Sequence, residues 1–419
     1  MLKPEIASLD TITAKEIFSE RTLGSLVETL GPIMQKGGGK TLVYMLPAAS
    51  RLGHMTLEPF YLRHFFGETH DTLAVIIHDH RFKAHSKGLR RLHEPRITFI
   101  ETMNRKLVMM GHFNARALEI GPLTWAVLSP SALVRNFVKD LEAGSQINHL
   151  KVPGDLVEEG DALLTSMGYG DDRPMVVLHV RDMGYMPEMS YHSFRAAKIE
   201  TYRPAIDYLV SKGYRVIRIG DKTSVRLEHE SPLVVDLPHH PDYSDILDVC
   251  CMAKAHFTIT CSSGPESLAR ALGTPMLTVN GYVQPDFWLN HNDVFLVKTY
   301  RDKATGEKLS YDEMLSRNLF LESTTEGFER AGIVLEDNTP HEILEAVQEM
   351  DMRINDTYVS DGTLDDRFHA LSVQHLARYR SELTDVGPVE QDRSETYAFA
   401  LPWTRYSQSF MKANPWFLR

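Results

Sequence analysis

Apolar residues in this chain fall into short unbroken runs, separated by stretches where they recur every third or fourth position. TLVYMLP (41–47) and TLAVIIH (72–78) are runs of the first kind. Segments of that length, apolar on both faces, fit strands buried within a parallel sheet. Residues 95–101 and 123–128 predict two further strands, and a helical pattern starts at about Thr56. The second half repeats the alternation more sharply. MVVLHV (175–180), YRVIRIG (214–220), PLVVDL (232–237), HFTIT (256–260) and PMLTVNG (275–281) predict strands. IETYRPAIDYLVSK (199–212), SDILDVCCMAKA (244–255) and GPESLARALG (264–273) predict helices between them. Their ends carry the expected punctuation: Ser244 as N-cap, Pro265 in a first turn, and Gly213 and Gly273 just past a last turn. Beyond about residue 340 the pattern is helical, through PHEILEAVQEMDMRI and DDRFHALSVQHLARYRSEL. The ending WTRYSQSFMKANPWFLR holds two Trp and two Phe, which predicts a docked segment.

Strands alternating with helices define an α/β chain with mostly parallel, doubly wound sheets. At 419 residues it is too long for one ordinary core. The charged, Gly-rich stretch from about Gly154 to Arg173 is the expected boundary. The predicted division is 1–160, a Rossmann-like domain; 161–335, a second Rossmann-like domain; and 336–419, a helical tail.

Charge narrows the partners. A formal net charge of −11 argues against a nucleic-acid-coating surface, which needs clustered Lys and Arg. It leaves room for a local basic pocket holding a small phosphate ligand. Cys250, Cys251 and Cys261 form no Cys-x-x-Cys pair, so neither a zinc knuckle nor a disulfide framework is expected. MLKPEIASLD has no apolar run and no stretch reaches the ~18 apolar residues of a membrane span. The expected location is the cytoplasm, with work at the inner face of a membrane left open. Neither repeats nor low-complexity tracts occur.

Several stretches invite a chemical reading. GGGKT (37–41) is a decoy for a phosphate loop. Met34 stands where that motif needs Gly, and the glycines precede a strand instead of following one. HDHRFKAH (78–85) offers His78, Asp79, His80 and His85, but no further ligand cluster completes a metal site, and loop histidines are expected. In SRLGHM (50–55), Gly53 lets backbone approach a ligand and His54 follows a strand end; an ordinary strand–helix turn explains the same residues.

TCSSGPESLARALGTP (260–275) is more specific. A strand gives way to Ser262, Ser263 and Gly264, which open a helix. The unpaired N–H groups and positive dipole end there suit a diphosphate. Glu266 either accepts hydrogen bonds from a ribose or complements the dipole. At the end of the strand 175–180, His179 and Arg181 are two residues apart and so face the same way. Arg is the natural bidentate partner of phosphate oxygens. Asp182, Glu188, His192 and Arg195 follow closely, as a general base, as orienting groups, or as an ion-pair rim. Asp221 and HHPDYSD (239–245) follow later strands and are candidates for ribose and base contacts.

HVRDMGY followed by YHSFRAAKIETYRPAIDYLVSKGYRVIRIGD resembles a family of bacterial glycosyltransferases linked with surface polysaccharide or glycan assembly. The resemblance extends from the RLGH turn to the SFMKANPWFL ending. The His-x-Arg strand end also resembles α1,6-fucosyltransferases and nodulation fucosyltransferases, although there the Arg is often followed by Arg and here by Asp182. SSGPESLARALGTP is similar to the donor-domain helix of heptosyltransferase-like enzymes.

The resemblance implies a GT-B architecture: two Rossmann-like domains facing a central cleft, acceptor on the first, nucleotide-sugar on the second, the tail packing back across both. It implies no metal and no cofactor beyond the nucleotide-diphosphate donor. It also implies a base shortly after His-x-Arg, at the spacing of Glu188, with Asp182 as rival. The expected activity is metal-independent, inverting transfer to a glycan, lipid-linked or protein acceptor. Arg181 holds the diphosphate in that reading, with His179, His192, Arg195, Asp221, Ser262, Ser263, Gly264 and Glu266 on the donor side and Gly53 and His54 on the acceptor side. The alternatives are a nucleotide-sugar epimerase or hydrolase, or a non-catalytic nucleotide- or glycan-binding protein.

Overall fold

A computed structural model describes residues 14–34, 39–79, 86–113, 117–184, 187–382 and 396–419. The chain divides into two compact units, Met1–Phe137 and Val138–Arg419.

The first unit is built on β1 (Thr41–Met45), β2 (Thr72–His78), β3 (Ile97–Thr102), β4 (Ala117–Ile120) and β5 (Leu123–Ala126). Their order is β3-β2-β1-β5-β4. All neighbours are parallel except β4 and β5, an antiparallel hairpin; β5 was expected within 123–128, whereas β4 was not. Its turn uses Gly121 at φ +60°, where a side chain would be strained. Val43, Met45, Ala74, Ile76 and Trp125 put the sheet's apolar face into one core with Leu107 and Leu30. The helix after β1 runs Leu52–Phe66, starting earlier than expected, with Arg51 at its N-cap position.

The second unit carries β6 (Met175–Leu178), β7 (Arg215–Arg218), β8 (Val234–Asp236), β9 (Phe257–Thr260), β10 (Met276–Gly281) and β11 (Val294–Val297). They form one parallel sheet in the order β11-β10-β9-β6-β7-β8. The chain lays β7 and β8 on one side of β6, then crosses back to lay β9, β10 and β11 on the other. The order reverses between β6 and β9, the crevice where open α/β sheets take ligands. The strands are buried on both faces, which is why they read as continuous apolar runs. Two Arg side chains break that pattern in β7 and are paired: Arg215 with Asp171 and Arg218 with Asp236.

Three expectations need correction. Residues 138–160 go with the second unit, not the first. Helix Gly154–Ser166 lies on helix Ile246–Lys254 so closely that a Cβ on Gly160 would stand 2.4 Å from Cys250 Sγ. Ser244 is not the N-cap of that second helix; Asp245 holds the position, without a side-chain cap bond.

Residues 336–419, expected as a tail packing back across both domains, cluster with the second unit. Glu336 ends β13 (Ile333–Glu336), which pairs antiparallel with β12 (Thr299–Asp302). Asn280 and Asn338 exchange backbone-to-side-chain bonds of 2.6 and 2.7 Å. The terminal segment adds to the sheet edge, with Phe295 bonded to Arg405 and Ser407 through the backbone. Trp403 Nε1 donates to Leu289 O at 2.7 Å, and Tyr406 stacks on Phe417.

Candidate functional site

The residue after β6 keeps its pairing: His179 N–H donates to Ile259 O of β9 at 2.8 Å. The His179 ring is buried, with Nδ1 3.2 Å from Ile219 O and Nε2 2.9 Å from the Ser263 hydroxyl. A carbonyl can only accept, so Nδ1 carries the hydrogen and Nε2 accepts from Ser263. Burial lowers His179 to about 4, so the ring is neutral near pH 7. His179 therefore ties the end of β6 to the start of helix Gly264–Leu272.

Two residues on, Arg181 N–H donates to Cys261 Sγ at 3.0 Å, and its carbonyl accepts from Ala197 N at 2.9 Å. The Arg181 backbone is thus pinned between β9 and the segment behind Arg195. Arg195 ends the 3-10 turn Pro187–Arg195 and its Nε donates to Ser262 O at 2.7 Å. The turn is anchored at Thr325, which bonds the Ser193 hydroxyl at 2.9 Å and Phe194 N–H at 3.3 Å. Both guanidinium groups favour the charged form of Glu266, in the first turn of helix Gly264–Leu272.

That helix starts with Ser263 at the N-cap position and Pro265 in the first turn; Gly273 closes it at φ +75°. The Ser263 hydroxyl is committed to His179 and makes no cap bond. The Ser263 N–H favours the charged form of the Glu266 carboxyl. Burial raises the Glu266 carboxyl to about 7, against the pull of Arg270, Arg195 and Arg181. Buried polar atoms here that have no hydrogen-bond partner among the described residues include Ser262 Oγ and Glu266 Oε2. Buried polar atoms are ordinarily satisfied, so a ligand or water is the natural complement.

Other candidates have different surroundings. Asp182 Oδ1 accepts from Gly184 N at 2.9 Å and Oδ2 from Val225 N at 2.7 Å, so the carboxylate brackets two loops. Asp221 Oδ1 accepts from the Thr223 N–H and hydroxyl in a local turn. The His192 ring lies against Tyr191, centroids 4.2 Å apart. Within 239–245, His239 Nδ1 bonds Asp236 Oδ2 at 2.7 Å and Tyr243 donates to Asp248 at 2.8 Å. Glu188 falls on the 3-10 turn, but its side chain lies outside what is described. Residues 37 and 38 of the decoy and 80–85 of the histidine-rich stretch lie outside the described residues. Among the described residues, no three His, Cys, Asp or Glu side chains gather as a metal ion requires. No described helix is long and apolar enough to cross a membrane.

Gly53 and His54 belong to the first unit, in the first turn of helix Leu52–Phe66. His54 Nδ1 lies 2.6 Å from Glu58 Oε1, and the Tyr44 hydroxyl donates to Glu58 Oε2 at 2.5 Å. Sequence reasoning missed Glu58 and Tyr44. The i,i+4 spacing of His54 and Glu58 was a usable signal; the partner from β1 was not visible.

No protein-family model matches the chain, and no curated protein is significantly similar to it. Solved structures of low similarity include the ADP-heptose lipopolysaccharide heptosyltransferase II of E. coli: 15% identity, 76% of this chain and 99% of that one, TM-score 0.44. A family 9 glycosyl transferase from Veillonella parvula is 11% identical over 59% of this chain and 82% of its own, TM-score 0.36. The iron-containing dodecameric glycosyltransferase TibC of enterotoxigenic E. coli is 14% identical over 77% and 81%, TM-score 0.37. At those scores these likenesses carry no functional weight.

Proposed function

We propose that the protein is a glycosyltransferase that moves a sugar from a nucleotide-diphosphate donor to a glycan, lipid-linked or protein acceptor. The observation that carries this reading is that the strand end bearing Arg181 is tied to the start of helix Gly264–Leu272, by the Arg181 N–H to Cys261 and by His179 to Ser263, at the β6/β9 reversal of the second unit. The positive dipole end of a helix and two guanidinium groups suit a diphosphate. Hydroxyl and carboxyl acceptors beside them, at Ser262 and Glu266, suit the hydroxyls of a ribose or sugar.

In this reading the second unit holds the donor. The acceptor oxygen attacks the anomeric carbon, inverting it, and the bond to the diphosphate breaks. Arg181 and Arg195 face the charge that develops on the leaving oxygen, in a site already organised before the reaction. His179 sets the helix start from behind and does not touch the donor. Asp182 is a bracket for the loop that follows Arg181.

The test is thermal unfolding of the full chain with GDP, UDP, ADP, dTDP or CMP. A ligand that binds only the folded state raises Tm. At least one diphosphate is expected to raise it while CMP, with a single phosphate, does not; no shift with any of them contradicts the reading. Incubation with the matching sugar donor and no acceptor then separates a transferase from an epimerase, which would convert the sugar.

A further inference from the structure

The Arg195 side chain is anchored through one nitrogen and open at the others. Its Nε donates to Ser262 O at 2.7 Å, and among the described residues no hydrogen bond or ion pair engages Nη1 or Nη2. Those two nitrogens are the fork that pairs with phosphate oxygens. The backbone of this residue is held on both sides. Before it, the Thr325 hydroxyl lies 2.9 Å from the Ser193 hydroxyl, accepts from Phe194 N–H at 3.3 Å and donates to Tyr191 O at 3.2 Å. After it, Lys298 Nζ donates to Ala196 O at 2.6 Å.

Lys298 follows β11 and is 3% exposed. The pairing of β12 with β13 sets Thr299 opposite Glu336, which brings Lys298 beside Asp337 one step beyond the ladder. Lys298 Nζ donates to Asp337 Oδ1 at 2.7 Å as well as to Ala196 O. The Lys298 N–H donates to Gly281 O at 2.9 Å and Asn338 Nδ2 to Val297 O at 2.8 Å, so the backbone on both sides of the pair is tied. A lysine is buried only when its hydrogens find acceptors. A buried ion pair adds little stability over well-packed apolar residues. What this one adds is a fixed carbonyl next to Arg195.

We infer that Lys298 and Thr325 are positioning residues for Arg195, holding its backbone so that the open end of the guanidinium is set for a diphosphate before one binds. The inference rests on the donor reading above and lies wholly within the second unit. An arginine ordered only on binding loses affinity to its own conformational entropy, and one already placed loses less. Both residues act through Arg195, so their effect on binding disappears when that side chain is removed.

The full chain is titrated calorimetrically with GDP, UDP, ADP and dTDP. Arg195→Ala is expected to weaken the Kd of whichever nucleotide diphosphate binds the wild type by about tenfold. Lys298→Met and Thr325→Val remove the holding bonds at similar volume, and each is expected to weaken it by about fivefold. In the Arg195→Ala background the same two substitutions are expected to change Kd by less than about twofold, a coupling that a general loosening of the fold does not produce. Additive losses in that background, or a wild-type Kd in either single variant, overturn the inference. Should Lys298→Met not fold, Thr325→Val, at a half-buried position, decides by itself. Should Arg195→Ala bind as tightly as wild type while Arg181→Ala binds weakly, the inference falls and the donor reading stands. A wild type that binds none of the four nucleotides overturns both.

Discussion

His179 Nε2 lies 2.9 Å from the Ser263 hydroxyl, joining the strand end that bears Arg181 to the start of helix Gly264–Leu272. The other ring nitrogen is held by Ile219 O. The bond needs a neutral ring, and burial supplies one by lowering His179 to about 4.

That depression has a sign. The unfolded His protonates near its ordinary value of ~6.5, the folded one only near 4. Its share of stability is present above ~6.5 and is lost as pH falls towards 4. His179→Gln keeps hydrogen-bonding capacity without titrating. The stability advantage of wild type over this variant is expected to shrink by on the order of 2 kcal/mol between pH 7 and pH 4, measured by urea unfolding. An advantage constant with pH contradicts it.

Glu266 runs the other way. Its folded carboxyl keeps a proton up to about 7, while the unfolded one releases it near ~4.3. The associated stability is complete below ~4.3 and is lost as pH rises to about 7. Glu266→Gln stays uncharged, so wild type is expected to lose ground to it by on the order of 2 kcal/mol from pH 4.5 to pH 7.5. Parallel pH profiles for the two proteins would refute the buried, protonated state.

Glu349 fastens the C-terminal segment. It is fully buried and accepts from Arg353 Nε, the Ser407 hydroxyl, and the N–H groups of Gln408 and Ser409, at 2.8–3.1 Å. Glu349→Gln turns an amide donor towards those donors. Breaking such a buried charged network costs about 3–5 kcal/mol. Lower urea resistance and faster protease cleavage within 396–419 are the expected results; wild-type behaviour in both would mean that the segment is held by its aromatic contacts alone.

The strands of the second unit were legible because burial on both faces leaves continuous apolar runs, as in Val176–Leu178 and Phe257–Thr260. The bond between His179 and Ser263 follows from the same pattern, since parallel strands bring their ends to one edge. Contacts made by loops were not. Asp182 reads as a candidate base until Val225, forty-three residues on, is seen to donate to it. Arg195 returns to Ser262 only because a 3-10 turn anchored at Thr325 carries it there. β5 lies within the strand expected at 123–128, but its partner β4 was missed because ALEI is short and mixes polar with apolar positions. Residues 336–419 read as a tail because helical periodicity says nothing about which body a helix joins.

The central claim is that Arg181 and the amide-rich helix start hold one pyrophosphate. Calorimetric titration of Arg181→Ala, with whichever nucleotide diphosphate stabilises the wild type, tests it most directly. The account predicts a Kd weakened at least about tenfold, with urea resistance within about 1 kcal/mol of wild type. A Kd equal to wild type in a folded variant would contradict it.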